Sequence, residues 1–167
     1  MENDQNDSDD ESYRQVYSAG IRLLAVRGHS VLELQQKLSR KQHALPLIDR
    51  VISDLLNAGY LDDQNFAYDY SRQRIAKGYG PLAIRQGLFH RGVEARHIEQ
   101  ALNDQNINWL EHAQTVISNR FEPDAIISAE PKIEARIARF MQHRGFTGSD
   151  SLRALQVLRK RISSLAD

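Results

Sequence analysis

The sequence predicts an all-α protein, built as an elongated, curved array of three tandem three-helix repeats. Apolar residues recur at helical spacing along most of the 167 residues, and a pattern of about 50 residues recurs along the chain. No segment of useful length shows the two-residue alternation of a strand. Arrays of this kind expose long, shallow surfaces, which suit a partner that is itself extended.

The elements follow in chain order. The first twelve residues carry six acids, no base and almost no apolar side chain, so we expect residues 1–12 to form a disordered acidic tail. Apolar periodicity then predicts nine helices, over 13–27, 31–41, 45–58, 63–77, 81–91, 94–104, 108–120, 131–144 and 150–165. The stripes expected to face the core include Val16, Ala19, Leu23 and Val26, then Leu47, Ile48, Val51, Ile52, Leu55 and Leu56, and finally Leu152, Leu155, Leu158, Ile162 and Leu165.

Capping residues mark the same boundaries. Ser30 with Glu33, and Asn108 with Glu111, have the spacing of a capping box, in which each side chain bonds to the other residue's backbone. Asp62 is placed to cap the fourth helix. Glycines that tolerate a left-handed backbone follow helix ends, at Gly59, Gly78, Gly92 and Gly145. Pro81 and Pro131 stand where helices begin.

The repeat appears at spacings of 50 and 53 residues. Leu34 and Leu38 lie 50 residues before Ile84 and Leu88, which lie 53 before Ile137 and Met141. The tripeptide His-Arg-Gly at 90–92 recurs in the same register at 143–145. We therefore predict repeats over 13–60, 61–106 and 107–165.

Composition excludes several classes of protein. The chain has no cysteine, which rules out disulfides, thiolate metal sites and cysteine nucleophiles. No apolar run approaches the length of a membrane span, and the N-terminus lacks the layout of a signal peptide. We therefore expect a cytoplasmic protein without a membrane partner.

No catalytic motif stands out. Glu94 and His97 have the Glu-x-x-His spacing of di-iron bundles, but the second such motif is missing from the sequence. The segment 78–81, Gly-Tyr-Gly-Pro, is interpreted as a turn between helices, because the Lys-Ser/Thr of a phosphate loop is absent. We predict no enzyme activity, no cofactor and no metal.

The remaining signal is charge. The net charge is zero, but it is distributed as −6 over 1–12, +6 over 13–96, −5 over 97–131 and +5 over 132–167, and arginine outnumbers lysine 17 to 5. Arginine makes forked contacts to carboxylates and phosphates, so basic faces could meet DNA or an acidic protein groove. The candidate partner-binding residues are Arg72, Arg74, Lys77, Arg85, Arg91, Arg136, Arg139, Arg144, Arg159, Lys160 and Arg161. The aromatic residues Phe66, Tyr70, Phe89 and Phe140 fall on apolar stripes and are expected in the core.

Four segments of the chain, spread over about 13–165, resemble the RecX family. They are 21–38 (IRLLAVRGHS, then Glu33-Leu34 and Lys37-Leu38), 59–67 (GYLDD, then Phe66-Ala67), 77–92 (KGYGP, then Ile84-Arg85-Gln86 and Gly92) and 133–146 (Ile133, Arg139-Phe140 and His143-Arg144-Gly145-Phe146). The resemblance implies bacterial regulators of three three-helix repeats, which bind the filament of the RecA recombinase and restrain its ATPase, strand-exchange and coprotease activities. It also implies a place in recombination, DNA repair and the SOS response.

The expected partners are therefore the RecA filament and, since some members of the family bind DNA by themselves, single- or double-stranded DNA. We expect the regulator to act as a monomer. The alternative is a stand-alone DNA-binding protein that acts through the basic faces of its repeats.

Overall fold

A computed structural model describes residues 2–41 and 43–165, and over these residues the protein is all-α, as predicted. The described part of the chain contains no strand. Its helices are α1 (Glu2–Val26), α2 (Val31–Ser39), α3 (Leu45–Asn57), α4 (Asp63–Ala76), α5 (Pro81–Phe89), α6 (Ala95–Asp104), α7 (Trp109–Ser118), α8 (Pro123–Ile127), α9 (Pro131–His143) and α10 (Gly148–Ser163). None of these helices is both long and apolar enough to cross a membrane.

Helix α1 begins earlier than the sequence predicts. Residue 1 of the expected acidic tail lies outside the described residues, and the structure places 2–12 in the first turns of α1, where the composition predicts disorder. Acidic side chains near a helix N-terminus are favoured by the helix dipole. Asp10 also pairs with Arg14 one turn later, at 2.8 Å. These local interactions favour helix in a segment that contains no apolar residue from position 2 to position 12.

The predicted N-cap residues accept the expected hydrogen bonds, but neither predicted capping box has its return bond among the described residues. Ser30 accepts a hydrogen bond from the Glu33 amide at 3.1 Å, and Asn108 caps α7 in the same way. Asp62 accepts from the amides that begin α4. However, the Glu33 carboxylate does not return to Ser30, because it pairs instead with Arg27 and Arg91. The glycines that follow helices, Gly59, Gly78, Gly92 and Gly145, all have φ between 72° and 85°.

The structure divides into two compact units. Unit 1 comprises the described residues up to Ala67 together with Leu88–Ile98, and unit 2 comprises Tyr68–Gly87 together with the described residues from Glu99 onward. The three predicted repeats, 13–60, 61–106 and 107–165, remain a prediction about the organisation of the chain.

Unit 1 contains the mutually packed helices α1, α2 and α3. Their shared core is Val16, Ala19, Leu34, Leu38, Ile48, Val51, Ile52, Leu55 and Leu61. The α1 stripe ends before Val26, which is 84% exposed rather than buried as predicted. Val26 is the last residue of its helix, so no following turn covers it.

Unit 2 is organised around α10, which packs against α7, α8 and α9. The core here is Ala113, Val116, Ile117, Phe121, Ile126, Ile137, Met141, Phe146, Ala154, Leu155 and Leu158. Leu152 and Leu165 lie outside this core and are exposed, which corrects their predicted burial. The short helix α8 has no sequence prediction, because five residues are too few to show a helical period.

The start of α5 docks on the turn that follows α9. The Gly80 amide donates to the Arg144 carbonyl at 2.7 Å, and the Leu82 amide donates to the Gly145 carbonyl at 3.1 Å. Two backbones can approach this closely because both contact positions are glycine.

Candidate functional site

Two of the predicted binding arginines are engaged by carboxylates of their own units. In unit 2, the Arg85 guanidinium makes a forked contact to Glu99, at 2.6 and 2.9 Å. In unit 1, Arg91 pairs with Glu33 at 3.2 Å. Burial raises the pKa of Glu33, but the hydrogen bond and charge of Arg27 and the charge of Arg91 outweigh it, so the pKa is lowered overall.

The Arg159 guanidinium has more partners than that of Arg85, because it contacts two carbonyls and a carboxylate. Its Nε donates to the Ile126 carbonyl at 2.8 Å, Nη2 donates to the Ser128 carbonyl, and Nη1 pairs with Glu134 at 2.7 Å. The acceptors include the last carbonyls of α8, which a helix leaves unsatisfied. We therefore expect Arg159 to stabilise unit 2 internally.

A different arrangement surrounds the end of α4. The Arg74 guanidinium lies over the rings of Tyr70 and Tyr79, at 5.0 and 5.1 Å from their centroids. Arg144 lies over the same Tyr79 ring at 5.0 Å, and its Nη1 donates to the Lys77 carbonyl at 2.6 Å. Contacts of this type are cation–π interactions, in which the ring face attracts the cation.

The same pattern continues toward α9. Arg144 also lies 5.2 Å from the Phe140 centroid, and Arg120 lies over Phe121 at 5.5 Å and Phe140 at 6.0 Å. Arg136 lies over Phe121 at 5.4 Å. The eight side chains form one continuous network within unit 2, which we call the arginine–aromatic cluster: Arg74, Arg120, Arg136, Arg144, Tyr70, Tyr79, Phe121 and Phe140.

A groove of about 430 Å³ lies beside this cluster. Isoleucine, valine and phenylalanine side chains contribute apolar surface, and the cations Lys77, Arg120 and Arg144 also line it, with no carboxylate. We call it the unit 2 groove. Its lining is Ile75, Ala76, Lys77, Gly78, His112, Thr115, Val116, Asn119, Arg120, Phe140 and Arg144.

Carboxylates balance the charge of seven arginines of the described residues but not the charge of the cluster arginines. Seven arginines of the described residues form ion pairs with carboxylates: Arg14, Arg27, Arg72, Arg85, Arg91, Arg96 and Arg159. The four cluster arginines form none of these pairs. A ring holds a guanidinium in place without neutralising it, so the cluster presents positive charge that an anionic partner can balance.

The other predicted cations lie on the surface. Arg72 pairs with Asp69 at 3.2 Å, and both side chains are exposed. The side chains of four further cations have no ion pair or hydrogen bond among the described residues and are solvent-exposed. They are Lys77, Arg139, Lys160 and Arg161.

Sequence reasoning missed part of the cluster. Arg120 is the only base in the acidic stretch 97–131, so no basic pattern marked it. Tyr70 and Phe140, expected in the core, are half-buried beneath guanidinium groups. Phe89 is 72% exposed, so its predicted burial is wrong. Alternation of arginine and aromatic residues at 70–79 and 136–144 is the signal that could have found the site.

His112 lines the groove and is held by a hydrogen bond and by contacts with aromatic rings. Its Nε2 donates to the Tyr79 carbonyl at 3.2 Å, and its ring lies near those of Trp109 and Phe146. Burial lowers the pKa of His112, against the opposing effect of that hydrogen bond. The lowered pKa favours the neutral imidazole, and the ring nitrogen that contacts a carbonyl oxygen acts as the hydrogen-bond donor.

The structure offers little for metal chemistry. Within 2–41 and 43–165, no group of three or more histidine, aspartate or glutamate side chains is placed to hold a metal ion. Glu94, of the Glu-x-x-His pair, forms an ion pair with Arg96 at 2.9 Å.

Comparison with known proteins identifies the family. Family models match at 17–55, described as "RecX, first three-helix domain", and at 62–102, described as "RecX, second three-helix domain". A "Regulatory protein RecX" of Halorhodospira halophila is 40% identical over 139 residues, which span 83% of this chain and 84% of the relative. The chain belongs to the RecX family. A further RecX, from a strain of Escherichia coli, is 31% identical over 155 residues, covering 83% of this chain and 89% of that protein.

Solved RecX structures have the same fold. The crystal structure of RecX from Lactobacillus salivarius superimposes with a TM-score of 0.76 at 19% identity, and the match covers 89% of this chain and 97% of that chain. A second crystal structure, of a regulatory protein RecX, gives a TM-score of 0.73 at 20% identity, over 86% and 71% of the two chains.

Proposed function

We propose that this protein regulates the RecA recombinase by binding the RecA–DNA filament along its helical groove. There it inhibits the ATPase, strand-exchange and coprotease activities of RecA. The observation that carries the proposal is the arginine–aromatic cluster, whose four arginines form no ion pair with a carboxylate of the described residues, in a chain that belongs to a family of regulatory proteins. Membership of the RecX family points to RecA as the partner.

In this proposal the protein inhibits RecA by occupying the filament groove and not by catalysing a reaction. A protein that lies in the filament groove obstructs the incoming DNA and the repressor substrate, and it resists the subunit motions that accompany ATP turnover. No nucleophile and base are required for this mode of action, and none is proposed. Several weak contacts on one chain reinforce one another through their effective concentration.

The proposal is tested by co-sedimentation with preformed RecA–DNA filaments, alongside RecA ATPase measurements. The double variant Arg120→Gln/Arg136→Gln removes two cluster guanidinium groups that donate no hydrogen bond to any described residue. The matched control Arg14→Gln/Arg96→Gln removes two exposed charges that are compensated by Asp10 and Glu94. We expect the cluster variant to sediment and inhibit about tenfold less well, and the control to behave within twofold of the parent.

If the parent protein neither sedimented with filaments nor slowed RecA ATPase, regulation of RecA would be wrong. If the two double variants lost inhibition equally, the contact would depend on total charge and not on the cluster.

The alternative is a stand-alone DNA-binding protein. It is favoured by three exposed cations that form no ion pair with a described residue, Arg139, Lys160 and Arg161. Binding to phosphates weakens steeply with salt, in proportion to the number of contacts. Under this alternative, bare DNA binds as tightly as the filament at matched salt, and Arg139→Gln/Arg161→Gln lowers the salt slope by about two.

A further inference from the structure

The unit 2 groove combines two features that an occupant must match. The guanidinium groups of Arg120 and Arg144 and the Lys77 side chain line it with positive charge. Ile75, Val116 and Phe140 line it with apolar surface. An occupant therefore has to bring negative charge and apolar groups together.

The cations that face the groove are already oriented. Arg144 is held by the Lys77 carbonyl at 2.6 Å and by two aromatic rings, and only one of its five N–H groups has an acceptor among the described residues. The Arg120 guanidinium is held by two rings and donates no hydrogen bond within the described residues. Because the side chains are fixed before binding, a carboxylate fork loses little entropy when it docks on them.

The aromatic rings of the cluster do not serve as base-stacking platforms. Guanidinium groups lie over Tyr79 at 5.0 and 5.1 Å and over Phe140 at 5.2 and 6.0 Å. The edge-to-face contact between Phe121 and Phe140, at 5.5 Å, shields these rings further. Single-stranded nucleic acid gains much of its affinity by stacking bases on open ring faces, and here guanidinium groups already occupy positions over Tyr79 and Phe140.

The size of the groove also favours a peptide. Its volume of about 430 Å³ lies within the range of roughly 300–1,000 Å³ of small-ligand pockets, so it accepts a few side chains and not a duplex. Sugar-phosphate backbone would leave the apolar lining of Ile75 and Val116 without a matching group.

We propose that the unit 2 groove is a docking site for a short acidic segment of a protein partner, in which carboxylates are interleaved with apolar side chains. This inference rests on the proposed function, since it names the kind of contact that the cluster makes on a protein filament. It assigns the recognised groups to protein carboxylates rather than to DNA phosphates.

The test measures fluorescence anisotropy of a labelled ten-residue peptide in which glutamate alternates with leucine and phenylalanine. Control probes are a peptide of the same charge made of glutamate and glycine, and an oligothymidylate of the same charge. Trp109, whose ring lies 5.8 Å from that of His112 in the groove lining, reports occupancy of this site independently of the label.

Two full-length variants locate the contact. Arg120→Gln removes a groove cation, and Arg161→Gln removes an exposed cation of the same unit that lies outside the groove. We expect the mixed peptide to bind, with about tenfold loss in Arg120→Gln and less than twofold loss in Arg161→Gln. The glutamate–glycine peptide should bind at least fivefold more weakly than the mixed peptide. Circular dichroism confirms that both variants keep their helicity.

The inference is overturned if the mixed peptide fails to bind at about 1 mM, or if the two variants weaken it equally. It is also overturned if oligothymidylate binds more tightly than the peptide and its binding depends on Arg120, since the groove would then recognise nucleic acid. Filament co-sedimentation of the same variants distinguishes failure of the acidic-peptide site from failure of the proposed function. If the parent protein did not bind the peptide but Arg120→Gln still lost filament binding, the proposed function would stand and the acidic-peptide site would be wrong.

Discussion

Replacing Gly80 by alanine should destabilise unit 2, because this glycine lies where two backbones meet. A Cβ at this position would lie 2.5 Å from the Gly145 carbonyl oxygen and 2.9 Å from the Phe146 ring. The shortest normal contact between a carbon and an oxygen atom is about 3.3 Å, so the two atoms would overlap by about 0.8 Å. The opposing atoms belong to backbone and to a buried ring, neither of which can rotate away.

The cost of the Gly80→Ala substitution comes from two effects. Overpacking of a tight contact costs about 1–3 kcal/mol. Separating the segments also weakens the hydrogen bonds from Gly80 to Arg144 and from Leu82 to Gly145, each worth about 1 kcal/mol net. We therefore expect the free energy of unfolding of unit 2 to fall by about 3 kcal/mol.

The assay is urea unfolding followed by the fluorescence of Trp109, the single tryptophan of the chain, which lies in unit 2. The matched control is Gly148→Ala at the start of α10, where an added Cβ meets nothing within 4 Å. Alanine is favoured over glycine in a helix by about 0.5–1 kcal/mol, so this variant should be unchanged or slightly more stable. A Gly80→Ala variant as stable as Gly148→Ala would refute the close-contact argument.

Three further predictions concern charged and titratable groups. Arg159→Gln should lower the unfolding free energy by about 2–3 kcal/mol in urea, because two carbonyls and a carboxylate lose their donor, whereas Arg161→Gln should change it by less than about 0.5 kcal/mol. Unit 2 should lose stability as the pH falls below about 6.5, because His112 binds a proton there in the unfolded state but, with its lowered pKa, less readily in the folded state. His112→Gln should therefore reduce the difference in unfolding free energy between pH 7.5 and pH 5.5, measured by Trp109 fluorescence. The lowered pKa of Glu33 adds stability that is present above about pH 4.5 and is lost on further acidification. Glu33→Gln should therefore lower the melting temperature at pH 7 and have a smaller effect at pH 3, and equal effects at both pH values would argue against the ion pairs with Arg27 and Arg91.

Local signals in the sequence were enough to predict the helices and most of their ends. Four glycines follow helices with a left-handed backbone, and Ser30, Asp62 and Asn108 accept the hydrogen bonds expected of caps. These features depend on residues within a few positions of one another, so a single sequence contains all the information needed. The missed helix, α8, is held by the buried Ile126 and by Arg159, which comes 33 positions later.

Only the tertiary structure decided which charges are free to meet a partner. From the sequence alone, Arg85, Arg144 and Arg159 are equivalent members of basic stretches. In the folded chain Arg85 pairs with Glu99, and Arg144 is held by two aromatic rings and a carbonyl. Arg159 contacts the end of α8 and Glu134. The physical reason is distance along the chain. A periodic pattern reports which face of a helix a residue occupies. It does not report Glu99, the Lys77 carbonyl or Glu134, which lie 14 to 67 residues from the guanidinium groups that they contact and reach them only by packing.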